Sequence, residues 1–148
     1  MNMKNFAPLT ILVLICTCFP GCQDDDTIKP SDVSNALVSG TWKVIQFSDD
    51  DDDETSNFSG YEFTFVTTST TGNTGGLIEA SNGSSDVVGS WTTENSDKAA
   101  KLTLSFGITP FDDLNEDWRV TERTDIQIKL EHVSGGNGGT DLLTFEKI

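Results

Sequence analysis

From Gly60 to the end of the chain, apolar and polar positions alternate with period two, the spacing that puts one apolar face on a β-strand. Tyr61, Phe63 and Phe65 share one parity, with Glu62 and Thr64 on the other. Leu77 to Ala80 reads as a short third strand, and Val87, Gly89 and Trp91 as the inner face of a fourth. Leu102, Leu104 and Phe106 face inward from a fifth strand, Trp118 and Val120 from a sixth. Ile126, Ile128 and Leu130 define a seventh, and Leu143 and Phe145, within Leu142 to Glu146, an eighth. The first strand, Thr41 to Phe47, breaks the rule. Trp42 and Val44 point one way and Ile45 and Phe47 the other, the pattern of a strand buried on both faces. The cover expected for it is the segment just before, where Val33, Ala36 and Leu37 fall at helical spacing. Ser31 or Asp32 is placed to cap this helix and Gly40 to end it.

The links between strands are short and rich in turn formers. Ser48 to Glu54 breaks the first strand, Thr67 to Gly76 is a Thr/Gly/Asn tract read as a hairpin end, and Asn82-Gly83 is a tight-turn signal. Glu94 to Lys98 turns the chain, Thr109 to Asn115 interrupts it as one helical turn, and Ser134 to Gly139 is a Gly-rich turn. Eight strands with one apolar face each cannot stay as an open sheet, which would leave that face and two edges bare. The fold expected is all-β: an eight-stranded antiparallel up-and-down barrel over residues 31–148, with a short N-terminal helix. A two-layer sandwich is the alternative.

The first residues follow a different logic. Phe6 to Phe19 is an apolar run behind Lys4, about the length of a signal-peptide core and shorter than the ~20 residues that cross a bilayer. Pro20-Gly21-Cys22 ends it, and a small residue directly before a cysteine resembles a bacterial lipobox, in which the cysteine is acylated and becomes the mature N-terminus. Phe19 stands where Leu or Val is usual. This gives a signal peptide over residues 1–21 and an acidic tether over 22–30, with Cys22 as the lipid anchor. Cys16 and Cys18 leave with the leader, so with Cys22 acylated the mature chain has neither a thiol nor a disulfide.

Charge narrows the partners. The net charge is −15, and the leader removes only the cation Lys4. Such a chain is not expected to bind a nucleic-acid backbone, which needs clustered Lys and Arg, and the acyl group rather than surface charge must hold it to a membrane. Catalysis is not expected either. His132 is the only histidine, no Gly-x-Ser-x-Gly elbow is present, no second His or Cys completes a zinc site, and no cofactor motif occurs. The acids of Asp49 to Glu54 invite comparison with a calcium loop, with Asp50 and Asp52 as ligands. Calcium loops space their ligands around a turning glycine, and these acids are contiguous, so the run is read as a solvated loop without a metal.

Several short motifs together carry a resemblance. Gly40-Thr41-Trp42 heads the first strand, Tyr61 to Phe65 is an aromatic second strand, and Gly89-Ser90-Trp91 lies mid-chain. Leu114 to Trp118 and Leu143 to Lys147 follow. Gly-x-Trp after a short helix resembles the lipocalin opening, and the set as a whole is similar to the small lipocalin-like lipoproteins of Bacteroidetes. The acids of Gln23 to Asp26 are similar to the export signals of that group's surface lipoproteins, and Asp26-Thr27-Ile28 to its O-glycosylation site. No arginine after the eighth strand packs over the first tryptophan, as one usually does in true lipocalins, and Thr124-Asp125-Ile126 only partly matches their later signature.

The resemblance implies a lipid-anchored protein of the bacterial outer membrane, facing the surface or the periplasm. Its barrel interior, lined by Trp42, Tyr61, Phe63, Phe65, Trp91, Leu104, Trp118 and Ile128, would bind a small apolar or amphipathic ligand. The alternative is an interaction or carbohydrate-binding module with a filled core, using exposed aromatics such as Phe58 and Phe111. A measured interior void separates the two.

Overall fold

The computed structural model describes residues 27–68, 74–96, 99–134 and 139–148. The leader, Cys22 and the acids up to Asp26 lie outside the described residues, as do residues 69–73, 97–98 and 135–138 of the tracts read as turns. One helix, α1 (Pro30–Leu37), precedes nine strands. These are β1 (Thr41–Asp49), β2 (Asp52–Asp53), β3 (Glu62–Thr67), β4 (Gly75–Ser81), β5 (Asp86–Asn95), β6 (Ala100–Ser105), β7 (Asp117–Arg123), β8 (Gln127–Val133) and β9 (Thr140–Lys147). β3 to β9 pair each with the next, all antiparallel, and β1 pairs with both β3 and β9. The eight long strands thus close an up-and-down barrel, and the two-residue β2 is folded back on the end of β1. The closure is what a sandwich lacks.

Two features of β1 differ from expectation. The strand has a β-bulge: Val44 pairs with Phe145 and Gln46 with Thr144, so Ile45 is the extra residue. A bulge shifts side-chain parity by one. Phe47 therefore returns to the inner face with Trp42 and Val44, while Ile45 faces out, and the strand buries one face rather than two. The helix is accordingly not a cover for β1. It packs on β5 and β6 across the mouth of the barrel, with a buried hydrogen bond of 2.6 Å between the Ser34 and Thr93 hydroxyls.

The caps of α1 also differ. Pro30 occupies the first turn, where a missing amide costs nothing, and Lys29 takes the N-cap position with no side-chain cap; neither Ser31 nor Asp32 caps the first amides. The helix ends at Leu37 with Val38 as its C-cap, before Gly40, and Ser39 donates from its hydroxyl to the Ala36 carbonyl at 2.7 Å.

Further along, β4 is longer than Leu77 to Ala80, because Gly75 and Gly76 belong to it. At Gly76 a Cβ would stand 1.8 Å from the Val66 carbonyl oxygen, so only glycine admits this approach to β3. At β8 the inward set starts at Ile128. Ile126 is 64 % exposed, since the Thr124 hydroxyl accepts hydrogen bonds from the amides of Ile126 and Gln127 and holds them in a turn ahead of the strand. The remaining inward assignments hold in β3, β5, β6, β7 and β9.

Candidate functional site

The interior came first among the expected sites, and the structure places seven of its eight residues there. Trp42, Phe63, Phe65, Trp91, Leu104, Trp118 and Ile128 are 0–3 % exposed, and Tyr61 packs half-buried at the rim. They meet each other rather than a void. Phe63 stands edge-on to Phe145 at 5.4 Å, and Phe65 edge-on to Trp91 and to Phe145 at 5.8 Å each. Recesses of about 400, 300 and 250 Å³ open on the outer surface, and none is lined by an interior aromatic.

Both mouths of the barrel are filled. α1 closes one. The other is closed by two 3-10 turns, Thr55–Phe58 and Phe111–Leu114. Phe58 and Phe111, expected outside, are 1 % and 2 % exposed. Their rings lie 5.7 Å apart, with Phe47 at 5.3 Å from Phe58 and Tyr61 at 4.9 Å from Phe111. The physical reason is that a barrel mouth needs large apolar lids, and no strand supplies them. Gly89 belongs to the same solution, because a Cβ there would stand 2.6 Å from the Phe106 ring.

Above this aromatic lid sits the acidic run. It does not break β1. The strand continues to Asp49 and turns through Asp50 and Asp51, whose φ angles of 45° and 72° make the two-residue turn that returns as Asp52–Asp53. Asp tolerates this left-handed region better than most residues other than glycine. The Asp50 amide donates to Asp141 at 3.0 Å, and the Asp50 carboxylate accepts from the Gly139 amide at 2.7 Å, which ties the turn to the start of β9.

Asp49, Asp50 and Asp141 each bring a carboxylate oxygen within 4.8 Å of the others. Burial raises the Asp49 pKa, and repulsion from Asp141, Asp50 and Asp113 raises it further, as does a hydrogen bond with Asp141. Asp53 shifts downward through hydrogen bonds from the Thr55 hydroxyl and amide, and Asp117 through those from Thr103 and Lys101.

Of the two residues suggested for calcium, Asp50 is in this group and Asp52 is not. Asp49 and Asp141 are the members that sequence reasoning missed. A signal for Asp141 existed: it shares the inward parity of Leu143 and Phe145, an unusual position for an acid. Asp50 and Asp141 already accept backbone amides and Asp49 hydrogen-bonds Asp141, so the group serves as the clasp of a hairpin. His132 is half-buried beside Trp118, with its Nε2 at 3.4 Å from Glu116. No protein-family model and no curated protein matches this chain.

Proposed function

We propose that the protein is a lipid-anchored, lipocalin-like barrel of the bacterial outer membrane that works through its outer surface, with no ligand in its interior. The supporting observation is the packed interior. Trp42, Phe63, Trp91 and Trp118 are within 1 % of complete burial, ring meets ring, and both mouths are stopped by side chains of the chain itself. A pocket for a drug-sized ligand needs some 300–1,000 Å³ of enclosed space. The loops and outer strand faces are then what a partner, a glycan or another protein, would meet.

Two measurements test the two halves of this reading. Titration with a fluorescent fatty acid should give no saturable signal and no rise in melting temperature; a stoichiometric complex would put a ligand back inside the barrel. Intact-mass analysis should find Cys22 acylated, and Cys22→Ser should move the protein from the detergent phase to the aqueous one. An unmodified Cys22 on the mature chain ends the anchoring half.

A further inference from the structure

The charges of this barrel are sorted by end. The mouth away from α1 carries Asp49 to Glu54, Asp112, Asp113 and Glu116, and its described loops contain no lysine or arginine. On the walls, the cations are matched: Lys43 with Glu146, Lys101 with Glu94 and Asp117, Arg119 with Glu131, and Lys129 with Glu122. Lys29, Arg123 and Lys147 have no carboxylate partner among the described residues. All three lie at the α1 end. Arg123 and Lys147 line a recess of about 250 Å³ between the end of α1 and the β7–β8 turn, and Lys147 is held there by the Ser39 hydroxyl at 3.0 Å. Asp32 and Asp125 offset part of this charge, but the contrast between the ends remains large.

The α1 end is also where the chain leads back to Cys22. From Cys22 to Thr27 five residues reach at most about 17 Å, at roughly 3.3–3.6 Å per residue. Screening length at physiological salt is about 8 Å, so the α1 end feels a charged surface when the leash is slack and escapes it only near full extension.

We propose that the α1 end is a docking face for an anionic lipid surface, with Lys29, Arg123 and Lys147 turned toward the headgroup phosphates and the acidic mouth presented away. The proposal rests on Cys22 being the membrane end of the chain. Asp24 to Asp26 oppose a tight hold, so what this face supplies is orientation rather than affinity.

The test supplies the tether chemically, so that it stands apart from native acylation. The chain from Cys22 onward is coupled through the Cys22 thiol to a maleimide lipid in nanodiscs doped with a gadolinium-chelate lipid, and amide signals are followed by NMR. Amides around Ser31 and Asp125 should broaden much more than those around Asp51 and Gly83. The contrast should be greater with phosphatidylglycerol than with phosphatidylcholine alone. High salt, or Lys29→Glu with Arg123→Glu, should shrink it several-fold; both residues are exposed, and an unchanged spectrum away from the sites verifies the fold. Equal broadening at the two ends overturns the proposal. So does a contrast indifferent to lipid charge, salt and the double reversal, since the leash alone would then set it. A native Cys22 found unmodified would instead sink the anchoring and leave the nanodisc result to speak for the face itself.

Discussion

At one mouth of the barrel the indole of Trp42 donates to the carbonyl of Leu37, the last residue of α1, at 2.9 Å. At the other, the indole of Trp118 donates to the carbonyl of Leu114, the last residue of the second 3-10 turn, at 3.0 Å. Both leucines are fully buried. A helical segment ends with carbonyls that have no partner inside it, and burying one unpaired costs about 1–3 kcal/mol. An indole N–H is a donor only and is long enough to reach from a strand. Both lids are therefore fastened to the barrel by the same atom pair, although one is two turns of α-helix and the other a single 3-10 turn. The third tryptophan does something else: Trp91 donates from inside to the Leu77 and Val66 carbonyls, across the β3–β4 pair.

The comparison breaks most directly at the indoles. Trp42→Ala and Trp118→Ala should each cost on the order of 3–5 kcal/mol, the usual range for a large buried aromatic. Trp42→Phe keeps most of the packing and leaves the Leu37 carbonyl unpaired, so it should cost roughly 1–3 kcal/mol by chemical denaturation. In Trp118→Phe the Leu114 carbonyl keeps the Glu116 amide at 2.9 Å, and the cost should be smaller, about 0.5–1.5 kcal/mol for the one bond lost. If only the Trp42 variants lose stability, the 3-10 lid is ornamental and the likeness of the two mouths fails.

Phe111→Ala sharpens the contrast between the lids themselves. Placed as it is, beside Phe58, Tyr61, Phe63 and Phe106, it should also cost about 3–5 kcal/mol. An exposed aromatic would change stability by within about 0.5 kcal/mol. A small value would return Phe111 to the surface and reopen that mouth.

The helical lid has its own fastening. Removing one hydroxyl of the Ser34–Thr93 pair strands the other in a buried site, so Ser34→Ala or Thr93→Val should cost about 1–3 kcal/mol. The double variant should cost less than the sum of the two, with a coupling of roughly 0.5–3 kcal/mol. Simple additivity in that cycle would mean that the bond contributes nothing.

The two mouths also differ in how well sequence announces them. Val33, Ala36 and Leu37 repeat at helical spacing, so the helix was legible, though not what it covers: that depends on barrel curvature, which no local pattern encodes. Phe58 and Phe111 stand alone in polar stretches, Ser56-Asn57-Phe58-Ser59 and Phe111-Asp112-Asp113, where an isolated aromatic looks solvent-facing. The strands were legible because alternation survives wherever the ladder is regular. It fails at the bulge, where one unpaired residue, Ile45, reverses the parity of Phe47 and imitates a strand buried on both faces. The barrel interior was read almost residue for residue. Of the three acids in the group only Asp50 was legible as a candidate ligand: Asp49 is the last residue of β1, and Asp141 lies some 90 positions from Asp50 in the chain and meets it only through the β1–β9 pairing.

The acidic mouth gives the smallest effect and the clearest sign. Asp49 has its pKa raised in the folded state, so the folded protein holds that proton where the unfolded chain has begun to lose it. Stability from this group is then intact below its ordinary value of 3.8 and declines as pH rises through the folded pKa. Asp53 and Asp117, shifted downward, act in the opposite sense and lose their contribution as pH falls. Because these run against each other, the wild-type profile alone would hide Asp49, and the difference from Asp49→Asn isolates it. Asparagine keeps a donor for Asp141 without the charge. The two proteins should be equally stable below pH 3.8, with the variant gaining as pH rises, by no more than about 0.5 kcal/mol at an exposed position. A cation bound by Asp49, Asp50 and Asp141 would reverse the result in its presence, since the variant would then lose a ligand. Millimolar calcium is accordingly the control, and it should raise the melting temperature no more than magnesium does, equally in both proteins. A calcium-specific rise confined to the wild type would turn the clasp into a metal site and separate the two mouths in chemistry as well as in construction.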